Sequence, residues 1–235
     1  MDGDRGEVKL LAIDLANDLA VVRLEKRPFA ASLPEPTLEM FSRLAPYAPL
    51  ALRPVFANAR RLRPLVKRVL LAAGAEPAAL VRTTMAVTTL SGSPAHNVIA
   101  SSATAAVNLR ILVGDTVASA TEHVRKAIAD DSISLELLDV NEPSPVSPID
   151  DAAFELITDT ISELFEDAVP TPYVMMAATD SRHFTAICPR VYRFTPFRMT
   201  KAQRESIHSY DEHIGVEDFL DGVRWYTRLI ERMPA

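Results

Sequence analysis

The stretch 81–113, "VRTTMAVTTLSGSPAHNVIASSATAAVNLRILV", limits what this chain can fold into more than any other. Residues 81–90 alternate and are rich in β-branched side chains, "SGSPAH" supplies a turn, and Val107, Leu109, Ile111 and Val113 alternate again. Two long antiparallel strands, 81–90 and 97–113, are expected. In "GDTVASATEHVRKAIAD", Asp115 or Thr116 caps a helix with Val117, Ala120, Val124 and Ile128 inward, and "ISLELLDV" (133–140) is a further strand. Strand, strand, helix, strand, preceded by a helix, is most of an α/β plait, so the chain reads as α/β (α+β).

Upstream, Leu11, Leu15, Leu19 and Val22 fall at helical spacing within 8–25. Helix is the preferred reading, although the first few residues also fit a strand. Prolines are frequent from Arg27 to Pro64, which predicts short helices alternating with extended connections and no core. The segment 57–75 carries Arg60, Arg61, Arg63, Lys67 and Arg68. A membrane or an acidic partner would suit it, and a solvated helix face is preferred in so acidic a chain.

"NEPSPVSPID" (141–150) carries three prolines and no apolar period, and reads as a linker between domains 1–142 and 143–235. Beyond it the pattern predicts a helix from Asp151 to Phe165, a strand "TPYVMMA", the polar cluster "ATDSRHF" and a strand "RVYRFTPF". A polar loop "SIHSYDEH" and a closing helix follow, the helix turning Phe219, Val223, Tyr226 and Ile230 inward.

A net charge of -6 argues against nucleic acid, whose phosphates need a surplus of Lys and Arg. The single cysteine, Cys188, excludes an internal disulfide framework and any multi-cysteine zinc site; it reads as a small buried hydrophobe. The acidic start "MDGDRGEVKLL" is unlike a signal peptide, and no apolar run reaches the roughly 18 residues of a membrane span. A cytoplasmic protein with no membrane contact is expected.

Chemistry concentrates in two places: Asp180, Arg182 and His183 after one expected strand, and His208, Asp211, Glu212 and His213 after the next. The two clusters would be able to face each other. A neutral imidazole at His208 suits zinc, with Asp211 or Glu212 fixing its tautomer; the plainer alternative is a surface histidine. Asp180 either holds a functional side chain or caps its turn. Arg182 either grips a substrate carboxylate through its fork or makes an ordinary ion pair. His183 reads as packing or surface.

"TTLSGSPAHNVIASSATAAVNLRILVGDT", "NEPSPVSP", "ATDSRHF", "VYRFTPF" and "IHSYDEHI", in this order and spacing, resemble the M20 zinc metallopeptidases, in their carboxypeptidase and aminoacylase-like branch. The resemblance runs from about 80 to 235, and more loosely from about 12. It implies a catalytic α/β domain with a dinuclear zinc site and an inserted α/β-plait lid or dimerisation domain. The activity implied is hydrolysis of amide bonds next to a free carboxylate, in peptides or N-acyl amino acids, by a zinc-bound water that a glutamate deprotonates. Carried over by position, His208 matches a zinc ligand, Asn97 and Arg182 match substrate contacts, and Asp180 and Glu212 are supporting residues. His213 stands where the family has Arg or Lys.

The family's His-x-Asp pair, its bridging aspartate and its Glu-Glu pair should all precede the lid. This chain has no histidine before His96 and no Glu-Glu pair anywhere. It therefore carries no general-base glutamate and most metal ligands are missing, so zinc is expected to bind weakly or not at all. The expectation is a truncated or split member, inactive alone, whose lid lacks its first strand. A homodimer through the lid or a complementing N-terminal half would be its partner; the alternative is a non-catalytic dimerisation module.

Overall fold

The structure is a computed structural model that describes residues 7–13, 17–175 and 179–234, with side chains from Ala20 onward. The chain divides into two units, Met1–Val146 with Tyr173–Ile187, and Ser147–Pro172 with Cys188–Ala235.

Unit 1 opens with β1 (Glu7–Ile13) and α1 (Asn17–Lys26). The expected helix over 8–25 is therefore a strand followed by a helix. A helical layer follows: α2 (Glu35–Leu44), α3 (Arg53–Ala57), α4 (Arg63–Ala72) and α5 (Ala75–Ala79). Then come β2 (Thr84–Ser91), β3 (Thr104–Arg110), α6 (Val117–Ile128) and β4 (Ser134–Val140). Residues 97–103, expected as strand, form a loop.

The strands order as β2-β3-β1-β4 with antiparallel neighbours, the order of an α/β plait. Its first strand is present, which corrects the expectation that it was missing: β1 lies between β3 and β4, with Leu10 opposite Val107 and Leu137. The β3 alternation buries Ala105, Val107 and Leu109. These pack with Ala20 and Leu24 of α1 and with Val117, Ala120, Val124 and Ile128 of α6, each large apolar side chain contributing about 1.5–3 kcal/mol on burial.

Two arginines close α6. Arg23 Nη1 donates to Ile128 O at 2.7 Å and Arg27 Nη1 to Lys126 O at 3.0 Å, satisfying carbonyls left free where Ala129 turns left-handed. Buried Thr83 joins β2 to the start of α6, accepting from Leu112 N at 2.9 Å and donating to Asp115 Oδ2 at 2.5 Å.

The proline-rich segment builds a core of its own, contrary to expectation. Pro36, Pro54 and Pro64 each sit in the first turn of a helix, where no N–H is needed and the fixed φ suits the helix. Leu33, Leu38, Met40, Phe41, Val66 and Val81 are buried together there.

Unit 2 holds α7 (Ala152–Leu164), α8 (Lys201–Glu205) and α9 (Val216–Arg232). Asp151 caps α7, accepting from Ala153 N at 2.9 Å while its other oxygen takes Arg190 Nε at 2.8 Å. Ile161, Phe165 and Trp225 form the core, with Arg198 lying 5.3 Å over the Phe165 ring. Residues 171–175 and 190–197 are not strands, and the rest of the expected "TPYVMMA" strand lies outside the described residues. A strand exists by pairing, and among the described residues these two segments find no ladder partner. Helix α9 also faces the other way from expectation: Gly222 and Trp225 are buried, whereas Phe219 is 50% and Ile230 66% exposed. Cys188 is half-buried rather than a core residue.

Candidate functional site

Asn97 lies at the tip of the loop joining β2 to β3. The Ser93 hydroxyl shapes that loop, lying 2.6 Å from Ala95 O and 2.5 Å from Val98 O. Asn97 itself is exposed, which leaves its amide open to a ligand.

Asp180, Arg182 and His183 share one 3₁₀ helix, Asp180–Ala186, rather than a loop after a strand. Thr179 caps it, accepting from Ser181 N at 3.3 Å, and Thr185 Oγ1 donates to Arg182 O at 2.7 Å. Asp180 is exposed in the first turn. Arg182 is half-buried, with Nε 3.5 Å from His183 Nε2, and among the described residues it makes no ion pair with a carboxylate. Its fork is thus available to an anion, which the ordinary ion-pair reading had not allowed.

His208, in unit 2, occupies a turn after α8 with φ +64, and Asp211 follows with φ +59. Left-handed backbone costs a non-glycine residue about 1–2 kcal/mol, so something must hold it. Glu212 does: its carboxylate accepts the His208 backbone N–H at 3.0 Å. Glu212 thus meets the His208 main chain, where the sequence reading had Asp211 or Glu212 fixing the imidazole tautomer. Asp211 likewise serves through its backbone, its carbonyl lying 2.5 Å from His213 Nδ1. Tyr210, 95% exposed in the same turn, escaped the sequence reading; an aromatic inside a polar loop is the signal that would have found it.

Asn97, Asp180 and Arg182 thus belong to one unit and His208 and Glu212 to the other. The described residues do not by themselves make a zinc centre. A catalytic zinc takes three protein ligands, and among the described residues no three His, Cys, Asp or Glu side chains come together. His208 is a single donor.

A sequence model of peptidase family M20/M25/M40 matches residues 19–232. The Dictyostelium discoideum protein described as "Probable carboxypeptidase S-like 2" is 32% identical over 215 residues, 90% of this chain and 41% of that protein. Human N-fatty-acyl-amino acid synthase/hydrolase PM20D1 is 31% identical over 216 residues, 90% and 43% respectively. Among solved structures, the M20 family metallo-carboxypeptidase Sso-CP2 of Sulfolobus solfataricus superposes with TM-score 0.60 at 10% identity, covering 98% of this chain and 59% of that one. The dipeptidase Dug1p of Saccharomyces cerevisiae follows with TM-score 0.55 at 13% identity, covering 98% and 55%. At such identities the structures speak for the fold alone. This chain spans about two-fifths of the length of the curated relatives it matches. Fold, motif order and a family match over nearly the whole sequence agree: the chain belongs to peptidase family M20/M25/M40.

Proposed function

We propose that this chain supplies the substrate-side wall of an M20-type zinc hydrolase, and that the remaining metal ligands and the general-base glutamate come from a second polypeptide. In this reading residues 1–142 are the lid and residues 143–235 the C-terminal part of a catalytic domain. The substrate is an amide next to a free carboxylate, an N-acyl amino acid or a peptide; the names of the two relatives, an N-fatty-acyl-amino acid synthase/hydrolase and a probable carboxypeptidase S-like protein, support that class. The half-buried Arg182 fork takes the carboxylate in a bidentate pair, and the exposed Asn97 amide meets the scissile group. His208 gives one metal ligand. The observation that carries the reading is its left-handed backbone, held by Glu212: strain of this kind is kept where a side chain must be aimed.

The test is complementation. Mixing the chain with a polypeptide that bears the His-x-Asp and Glu-Glu motifs should restore zinc-dependent release of amino acids from acyl amino acids, and His208→Ala should abolish it. Activity that survives His208→Ala removes His208 from the site, and failure of every such mixture removes the reading.

A second reading, a non-catalytic dimerisation module, is favoured by the sheet edges. Both β2 and β4 are edge strands, and Leu90, Leu137 and Leu138 on them are exposed. Sedimentation decides it: a strict monomer at micromolar concentration refutes a dimer module.

A further inference from the structure

Between Glu39 and Glu76 the sequence has no acidic residue and seven basic ones, in a chain whose net charge is -6. A solvated face, the reading preferred from sequence, would show these cations among polar neighbours. The structure exposes apolar side chains in the same segment. In the turns joining α2 to α3, Tyr47 is 69% and Leu50 78% exposed. On α4, Leu65, Arg68 and Val69 succeed one another at helical spacing along one exposed stripe, beside the side on which Val66 is buried. Glu35 neutralises part of the charge by pairing with Arg60 and Arg63. Arg61 and Arg68 are exposed, and among the described residues their guanidinium groups meet no carboxylate or other side-chain partner.

We propose that the helical layer from Tyr47 to Ala72 docks on an anionic lipid surface, with Tyr47, Leu50, Leu65 and Val69 entering the headgroup boundary and Arg61 and Arg68 meeting the lipid phosphates. Charge complementarity selects this occupant: an acid-free block with interleaved leucines suits a surface that is negative outside and apolar beneath, and long arginine stems reach from one layer to the other. The layer lies on the surface and does not span it, since among the described residues no helix is long and apolar enough to cross a membrane. A second copy of this acidic chain offers no such charge except at its carboxylates, and an acidic polypeptide offers no apolar layer.

The experiment is co-sedimentation of the 235-residue chain with vesicles of phosphatidylcholine alone and of phosphatidylcholine mixed with phosphatidylserine. The chain should pellet with the phosphatidylserine vesicles and be released as salt rises. Arg61→Gln combined with Arg68→Gln should lower partitioning about 25-fold, at about fivefold per cation. Tyr47→Ser combined with Leu50→Ser should weaken binding at every salt concentration, with an unchanged far-UV spectrum, and Phe219→Ser on α9 should leave it intact. Equal pelleting with phosphatidylcholine alone, no pelleting with phosphatidylserine, or full binding by the arginine variant overturns the proposal. Loss of binding in Phe219→Ser overturns it as well, and so does binding to polyglutamate without binding to vesicles.

Discussion

Gly222 stands midway along α9, where helix propensity alone would favour alanine by about 1 kcal/mol. Packing reverses the sign. A Cβ at this position would lie 2.1 Å from Phe197 Cε1 and 2.5 Å from its Cδ1, so the ring could remain only by displacing α9. Gly222→Ala should therefore destabilise unit 2 by about 1–3 kcal/mol in urea unfolding, and a stabilised variant would refute the contact. Nearby, the Arg198 guanidinium donates to both oxygens of Asp167, one at 2.7 Å, and holds that carboxyl at about 2, below its ordinary 3.8. A lowered folded pKa gives stability that is complete above the ordinary value and is lost as pH falls towards the folded one. The acid limb between about pH 4 and 2 should thus flatten in Asp167→Asn, and the Asp167 carboxyl should titrate by NMR with its midpoint near 2. Both groups are exposed, so added salt should shrink the effect.

Helix α6 is held at its start by a reciprocal pair: Thr116 Oγ1 accepts from Ser119 N at 3.1 Å, and Ser119 Oγ accepts from Thr116 N at 2.9 Å. Replacing Thr116 by Ala removes one of the two and should cost about 1 kcal/mol in thermal unfolding, with Thr116→Ser close to neutral. This element was legible because cap, apolar spacing and stop all lie within its own residues. The strand β1 was not: Leu11, Leu15 and Leu19 keep helical spacing, and only pairing with β3 and β4, about 100 residues away, decides for strand. The prolines of α2 to α4 were legible as punctuation, yet whether a proline breaks a helix or starts one depends on where the helix begins. On α9 the apolar residues were legible as one set, but the direction they face was not, because Trp225 and Leu229, packed with Ile157 and Ile161 of α7, fix the buried side. At the site, residue types pointed to His208 and Arg182, whereas the hold of Glu212 on the His208 main chain needs coordinates.

At the scale of the molecule, the units are built to different strengths. Unit 1 has a four-stranded sheet under two helices and a second core in its helical layer. Unit 2 rests on Ile161, Phe165 and Trp225, with ion pairs such as Arg228 to Glu163 at 2.7 Å tying α7 to α9. Exposed ion pairs add only about 0–1 kcal/mol each, so they cannot make up for so small a core. Unit 2 should therefore open first. The sequence supplies its own reporter, because Trp225 is the only tryptophan and sits 2% exposed in that core. In a urea titration, tryptophan emission should shift at a lower concentration than the far-UV signal, to which unit 1 contributes both sheet and helix. Coincident curves would mean one cooperative body and refute the difference. A complementing polypeptide that covers the exposed side of α9 should move the emission transition towards the far-UV one, while leaving the contribution of unit 1 where it was.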